Sequence, residues 1–227
     1  MRWVIDLFML FFPSNCLVCG KRLSDLGAVL CLECELKMPG TGFVNRYDNP
    51  VSKIFWGRVP VESGTSLFRF EKGSVYQTLL HDLKYRGNIR VGLYLGRLMG
   101  QELKLTLFSE CDMLVPVPLH RKRLNQRGYN QSEIIARGVS EVTGIPVVTN
   151  LLRRTGNSRS QTSMNRQERF ENISSAFSLY RTYPDPNGKK ILIIDDVITT
   201  GATLEACSQV LFSHFNCQIF IATVSCA

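Results

Sequence analysis

The run ILII at residues 191–194 is wholly apolar and stops abruptly at Asp195 and Asp196. A strand without polar alternation has to be covered on both faces, as the strands of parallel sheets are. The residues that follow, VITTGAT (197–203), are small, hydroxylated or glycine, and they lead into the helical pattern ATLEACSQVLFSHF (202–215). A buried strand running straight into a helix is half of a βα unit, so the joint lies at the carboxyl edge of a sheet, where open α/β folds bind ligands. Free backbone N–H groups at the helix start, with the hydroxyls of Thr199, Thr200 and Thr203, suit a phosphate; Gly201, followed by Ala202, lets the backbone come close. Asp195 and Asp196 stand about one sugar's length away, placed to accept hydrogen bonds from ribose hydroxyls and to attract a hard cation such as Mg²⁺. The same letters also fit an ordinary strand–turn–helix joint with solvated aspartates.

The rest of the chain supports an α/β reading. From residue 111 the pattern alternates: a strand in CDMLVPV (111–117), a helix in NQSEIIARGVSEVTG (130–144), a strand in PVVTNLL (146–152), then ILII, the helix after it, and a closing strand QIFIATV (218–224). Alternating βα units imply a mostly parallel central sheet flanked by helices. Upstream, VESGTSLFRF (61–70) has strand character. SVYQTLLHDLKYRG (74–87) reads as a helix with Val75, Leu79, Leu80 and Leu83 on one face and Gly87 as its stop, and a second helix covers roughly 91–105. The polar stretch 155–175 lacks periodicity and reads as one long loop, of the kind that serves as a lid.

The first 40 residues differ in character. CLVCGKRLSDLGAVLCLEC places Cys16, Cys19, Cys31 and Cys34 as two CxxC knuckles, and a CxxC turn holds two thiolates at the spacing one tetrahedral Zn²⁺ needs. Four protein ligands leave no open position, so the expected role is structural. Two disulfides or a redox CxxC are the competing readings, without any thioredoxin-like context to support them. Cys111, Cys207, Cys217 and Cys226 are scattered among apolar residues and read as buried thiols in a reducing cytoplasm; His214 falls on a helix's apolar face and reads as a core histidine. The start, MRWVIDLFMLFF, has the early Arg and apolar run of an export signal. Asp6 interrupts that run, no small-x-small cleavage site follows and it is too short to span a bilayer, so a short docked helix is favoured over a signal.

Charge is concentrated. The chain carries a net charge of +8, and residues 121–169 hold ten Lys/Arg against Glu133, Glu141 and Glu168. Such a field favours polyanions, either phosphorylated small molecules or nucleic acid. HRKRLNQR (120–127) adjoins the carboxyl edge of a strand, where a diphosphate alone would account for it. Aromatic interleaving for base stacking is thin there, with Tyr129 and Phe170 nearby.

The segment ILIIDDVITTGAT resembles the phosphoribosyl-pyrophosphate (PRPP) signature of type I phosphoribosyltransferases. VPVPLHRKRLNQRGYNQSEIIAR (115–137), LLRRTGNSRSQTSMNRQERFENISSAF (151–177), LKYRGN (83–88) and the cysteine knuckles resemble the ComF family, phosphoribosyltransferase-like proteins associated with DNA uptake in competent bacteria. The resemblance covers almost the whole chain; the stretches around 40–60 and 180–187 carry no recognisable motif. It implies a zinc-ribbon-like module at 1–45 and a type I phosphoribosyltransferase domain at 46–227. It further implies that Asp195 and Asp196 hold the ribose hydroxyls and that residues 199–203 hold the 5′-phosphate. The loop with Val117, Pro118, Leu119 and Arg121 would face the diphosphate, and 155–172 would close over the reaction. The implied activity is Mg²⁺-dependent phosphoribosyl transfer with pyrophosphate release; the alternative is a non-catalytic PRPP sensor that binds DNA. Implied partners are PRPP, single- or double-stranded DNA and competence or DNA-processing proteins, in the cytoplasm and without a membrane span. Thr199 stands where 6-oxopurine salvage enzymes carry an aspartate that contacts the base, which argues against hypoxanthine or guanine as acceptor. Arg2 after the initiator leaves no N-terminal cysteine for glutamine hydrolysis.

Overall fold

A computed structural model of the chain describes residues 14–25, 27–155 and 176–227. The segment read as a short N-terminal helix and nearly all of the 155–172 loop lie outside the described residues. Among the described residues the strands are β1 (Val61–Arg69), β2 (Met113–Pro116), β3 (Leu152–Arg154), β4 (Phe177–Leu179), β5 (Lys190–Ile198) and β6 (Gln218–Cys226). The helices are α1 (Leu32–Leu36), α2 (Pro50–Lys53), α3 (Gln77–Tyr85), α4 (Ile89–Leu103), α5 (Arg121–Arg127), α6 (Gln131–Thr143) and α7 (Ala202–Phe212).

Alternate residues of the central strands feed two separate cores, as a two-residue side-chain period dictates. Leu192 and Ile194 of β5, with Phe220, Ala222 and Val224 of β6, pack among Leu95, Met99, Ile135 and Val139 of α4 and α6. Ile191, Ile193, Ile219 and Ile221 face the opposite way, onto Leu204, Cys207 and Leu211 of α7 and onto Val51 and Phe55. The sheet is wholly parallel, in the order β1-β6-β5-β2. Strands β3 and β4 form a separate antiparallel pair. The strand expected at 146–152 is reduced to one bridge, Val147 to Leu114, with Val148 N–H donating to Leu114 O at 2.8 Å; Pro146 has no N–H to continue a ladder.

Two further expectations are corrected. Helix α7 ends at Phe212, so His214 is exposed beyond its end rather than buried, its Nδ1 2.9 Å from Val210 O. Of the scattered cysteines, Cys111, Cys207 and Cys217 are buried, whereas Cys226 at the end of β6 is only half-buried.

Helices α4 and α6 cross at backbone contact. Gly92, Gly96 and Gly100 repeat every four residues and line one face of α4. A Cβ on Gly96 would fall well inside van der Waals contact of Ile135 O, and one on Gly138 would do the same to Leu93 O. At the ends of the crossing, added Cβ atoms on Gly92 and Gly100 would sit 2.7 Å from Ile134 Cγ2 and 2.9 Å from Val142 Cβ. This close approach fixes where α6 begins, and the residues at that beginning face the cavity described below.

Among the described residues, the cysteine module shares the core of the main domain. Leu23, Val29 and Leu30 pack into the same cluster as Leu79, Leu83 and Val91. Tyr76 Oη donates to Cys34 O at 2.8 Å, and Tyr94 Oη donates to the Glu35 carboxylate. The chain then runs along the outer edge of β1, with Thr41 N–H donating to Leu67 O and Arg69 N–H to Pro39 O at 3.1 and 2.9 Å. That segment covers an edge which would otherwise be open for pairing.

In an exposed helix Gly→Ala stabilises by about 1 kcal/mol. Here the sign inverts: Gly96→Ala or Gly138→Ala should destabilise by about 1–3 kcal/mol or more, because two helices must separate. Urea unfolding should show a lowered midpoint with an unchanged slope.

Candidate functional site

Strand β2 releases β5 early. Their last pair is Pro116 with Ile194, after which Val117 N–H donates to Ile194 O at 2.9 Å and the chain departs through Pro118. Strand β5 continues along β6 to Ile198, with Asp195 opposite Thr223. Asp195 and Asp196 are therefore the first β5 residues with no neighbour on the β2 side. The gap opens into a cavity of about 810 Å³, walled by both aspartates, Val117, Pro118, Leu119, Thr199 and Thr203, together with the end of α3, parts of α5 and α6, and Arg154.

The two carboxylates are held differently. Asp195 Oδ1 accepts from Ser132 Oγ and from Asp196 N–H, each at 2.9 Å. Burial, and then the Asp196 charge beside it, push the Asp195 carboxyl up to about 7 despite those donors and Lys84. Asp196 Oδ2 is 2.8 Å from Lys84 Nζ. Ser132 is delivered by the start of α6, where Asn130 caps the helix by accepting from Ser132 N–H and donates to Val117 O at 3.0 Å. One asparagine thus ties the strand exit to the helix start.

The lining also carries cations. Arg123 and Arg127 lie four apart on α5 and share the face turned to the cavity; Arg154 comes from β3. The Arg154 guanidinium is pushed below its usual value by burial and then by Arg123, and its Nε has no hydrogen-bond partner among the described residues. Gln131 also lines the cavity, accepting from Arg127 Nη1 at 2.9 Å and leaving its buried Nε2 unpartnered. Arg121, the cation expected from sequence, begins α5, is exposed and does not line the cavity.

Thr200, Gly201 and Ala202 line an adjoining cleft of about 170 Å³ that shares Asp195, Thr199 and Thr203 with the main cavity. Gly201 is the N-cap of α7, with φ +75°, so the first turn of α7 presents its unpaired N–H groups there. This loop is clamped from behind. Arg58 Nη1 donates to Thr200 O at 3.0 Å and to Ile54 O at 3.1 Å, and its other nitrogen pairs with Glu205, which is 2% exposed. A Cβ on Gly201 would collide with Ile54 and sit 3.3 Å from the Phe55 ring. The clamp is positioned by Asn49, whose side chain accepts from Val51 N–H and Ser52 N–H and donates to Gly64 O at 2.7 Å. Sequence reading assigned nothing to this stretch, and it assigned no individual role to Lys84, Arg123, Arg127, Ser132 or Arg154. LKYRGN marked the first of these as a motif, and the basic run marked the next two without saying which cations face inward.

The sulfurs of Cys16, Cys19, Cys31 and Cys34 all lie within 4.8 Å of one another. Four thiolates at about 2.3 Å from one tetrahedral Zn²⁺ stand about 3.8 Å apart, so the donor set fits that ion. The first knuckle is a tight turn, with Gly20 N–H donating to Cys16 O at 2.9 Å; the second is the first turn of α1.

Residues 126–227 match the phosphoribosyl transferase domain family. Competence protein F of Haemophilus influenzae is 33% identical over 100 residues, 44% of each chain. The DNA utilization protein YhgH of Escherichia coli is 29% identical over 140 residues, 60% of each chain. Competence protein ComFC of Bacillus subtilis is 28% identical over 99 residues, 44% of this chain and 38% of that protein. The chain thus spans about half the length of the curated relatives it matches. Among solved structures, a purine phosphoribosyltransferase from Pyrococcus horikoshii aligns with 59% of this chain and 81% of its own at 16% identity, with a TM-score of 0.37. No described helix is long and apolar enough to cross a membrane.

The Gly201 contact separates two effects. Gly144 has nearly the same φ, +77°, with nothing within 4 Å of an added Cβ. Gly144→Ala should therefore cost only the left-handed penalty, about 1–2 kcal/mol. Gly201→Ala should add a steric cost of about 1–3 kcal/mol. Thermal and urea unfolding of the two variants should show the difference; equal costs would mean that the clamp yields freely.

Proposed function

We propose that this chain, a phosphoribosyltransferase-like protein of the ComF family, binds PRPP with Mg²⁺ and transfers the phosphoribosyl group to an acceptor in a pathway of DNA uptake. The reading is carried by one arrangement: paired carboxylates at a strand end, a helix N-terminus one loop further on, and three arginines lining the same cavity. In this reading Asp195 and Asp196 accept from the ribose hydroxyls, and the hydroxyls and N–H groups of 199–203 hold the 5′-phosphate. Val117, Pro118 and Leu119 with Arg123, Arg127 and Arg154 receive the diphosphate; Arg121 stays at the solvent side of α5. The acceptor forms a bond to C1′ as the C1′–O bond to the diphosphate breaks. The diphosphate departs with the bonding pair and the acceptor's proton passes to solvent. Side-by-side carboxylates are hard oxygen donors that fit a divalent cation, which when bound would offset the leaving group's charge. The arginines do the same from fixed positions, which is the inexpensive form of electrostatic stabilisation.

The names of the relatives attach the family to competence and DNA utilization, and the DNA-uptake role comes to this chain from them. The basic segment fits the donor site first, since three of its arginines line the cavity and Arg137 is paired with Glu133. Calorimetry with PRPP and Mg²⁺ should give saturable binding. Asp195→Asn/Asp196→Asn should weaken it by about a hundredfold or more, the loss of two charge-assisted contacts of about 1.5–3 kcal/mol each. An acceptor screen reading pyrophosphate then separates the two functions: release with some acceptor marks a transferase, and background with every base and amine marks a PRPP sensor.

The cysteine module is proposed to hold one structural Zn²⁺. Metal analysis should find about one zinc per chain, lost in Cys31→Ser, and a strong chelator should lower the melting temperature. Because the module packs into the main core, the loss should reach helices α3 and α4. An unchanged melting point after verified zinc removal would defeat the structural role.

A further inference from the structure

We propose that Lys84 is the protein's own occupant of the cation seat at Asp196, and that on loading it turns from Asp196 to the ligand's diphosphate. The inference rests on the donor-site reading above. Lys84 Nζ lies 2.8 Å from Asp196 Oδ2, with the two side chains 24% and 16% exposed, inside the cavity that the aspartates share with Arg123, Arg127 and Arg154. Among the cavity's lining residues the carboxylates are Asp195 and Asp196. Asp195 Oδ1 accepts from Ser132 and a backbone N–H, and the ammonium sits on Asp196 Oδ2 beside it. The pairing also relieves the repulsion between two neighbouring carboxylates.

The backbone beneath Lys84 is fixed. It stands in the last turn of α3, Tyr129 Oη donates to Leu83 O, and Arg86 and Asn88 N–H groups both donate to Asp82 O, at 3.1 and 3.4 Å. Only the four-carbon stem is left to move. In the empty cavity the arginines repel the ammonium and Asp196 draws it. When a diphosphate enters with a divalent cation, that cation competes for Asp196 and the diphosphate offers the ammonium a new partner. Lysine suits this exchange, being a point charge on a flexible stem; an arginine fork would be pinned to the carboxylate. The consequence is linkage. Metal alone binds weakly because it must displace an internal cation, and diphosphate and metal favour one another reciprocally.

The test uses the full chain, with Lys84→Met and, as a gentler replacement, Lys84→Gln, and compares two titrations. With Mn²⁺ alone, both variants should bind about tenfold tighter than the unaltered chain, while PRPP with Mg²⁺ should bind about tenfold weaker, each roughly the size of one charge contact. Melting temperatures should stay close, since the pair lies at a cavity wall. A purely structural lysine would lower the melting point and weaken both titrations together, and that result, or unchanged Mn²⁺ affinity, overturns the proposal. If the unaltered chain gives no PRPP binding, the donor-site reading falls and with it the turn towards diphosphate; tighter Mn²⁺ binding in the variants would still place Lys84 in the cation seat.

Discussion

The site depends on a mismatch in strand length. β5 runs on to Ile198 while β2 gives it up at Ile194, and the cavity opens in that gap. Had β2 continued for two more paired residues, its ladder would have covered the flank of Asp195 and Asp196 and no cavity would exist between the strands. Proline makes the early end cheap: Pro118 locks φ and offers no N–H, so the strand cannot be prolonged as a regular ladder. The carboxylates are thus exposed on one side by a missing neighbour and held on the other by pairing with β6, a combination of access and rigidity that a loop could not supply.

Two backbone contacts then set the walls. The α4–α6 glycine crossing draws the start of α6 inward, so that Ser132 reaches Asp195 and Asn130 reaches Val117. On the other flank, Ile54 and Arg58 press on Gly201 and Thr200, so the 199–203 loop is built against a protein surface rather than left in solvent. Glu205 explains why this clamp can be permanent. A carboxylate that is almost fully buried has to be paired, and Arg58 pairs it while also holding Thr200. Rigid walls of this kind leave few groups free to respond to a ligand, and a long side chain on a fixed helix end is one of them.

The parallel sheet, the helices on both faces and the strand–turn–helix joint after the paired aspartates were legible because each is written locally: apolar runs, a 3.6-residue period, and thirteen contiguous residues from Ile191 to Thr203. The cysteine cluster was legible for the same reason, through spacing alone. What escaped was anything requiring two distant segments. Asn49 and Arg58 look like loop residues until Gly64 and Thr200 are placed beside them, 15 and 142 positions away. Helix α5 escaped because its sequence, RKRLNQR, has no buried residue to give it an apolar period. Without the helix, nothing singled out Arg123 and Arg127 over Arg121. His214 failed differently, since the apolar period continued past the point where the helix stopped.

The fate of the basic segment bears on partners. Of its cations, Arg123, Arg127 and Arg154 line the cavity, Arg137 is neutralised by Glu133, and Arg121, Lys122 and Arg153 remain exposed outside it. The described cations of the segment are thus concentrated in the cavity wall and just outside it. A phosphate chain passing over α5 would meet Arg121 and Lys122 before the cavity mouth. Nucleic acid and a sugar diphosphate would then draw on one field rather than on two independent surfaces, so that each screens the other. If both ligands bind as proposed, electrostatics across the width of one short helix would couple them without a conformational relay.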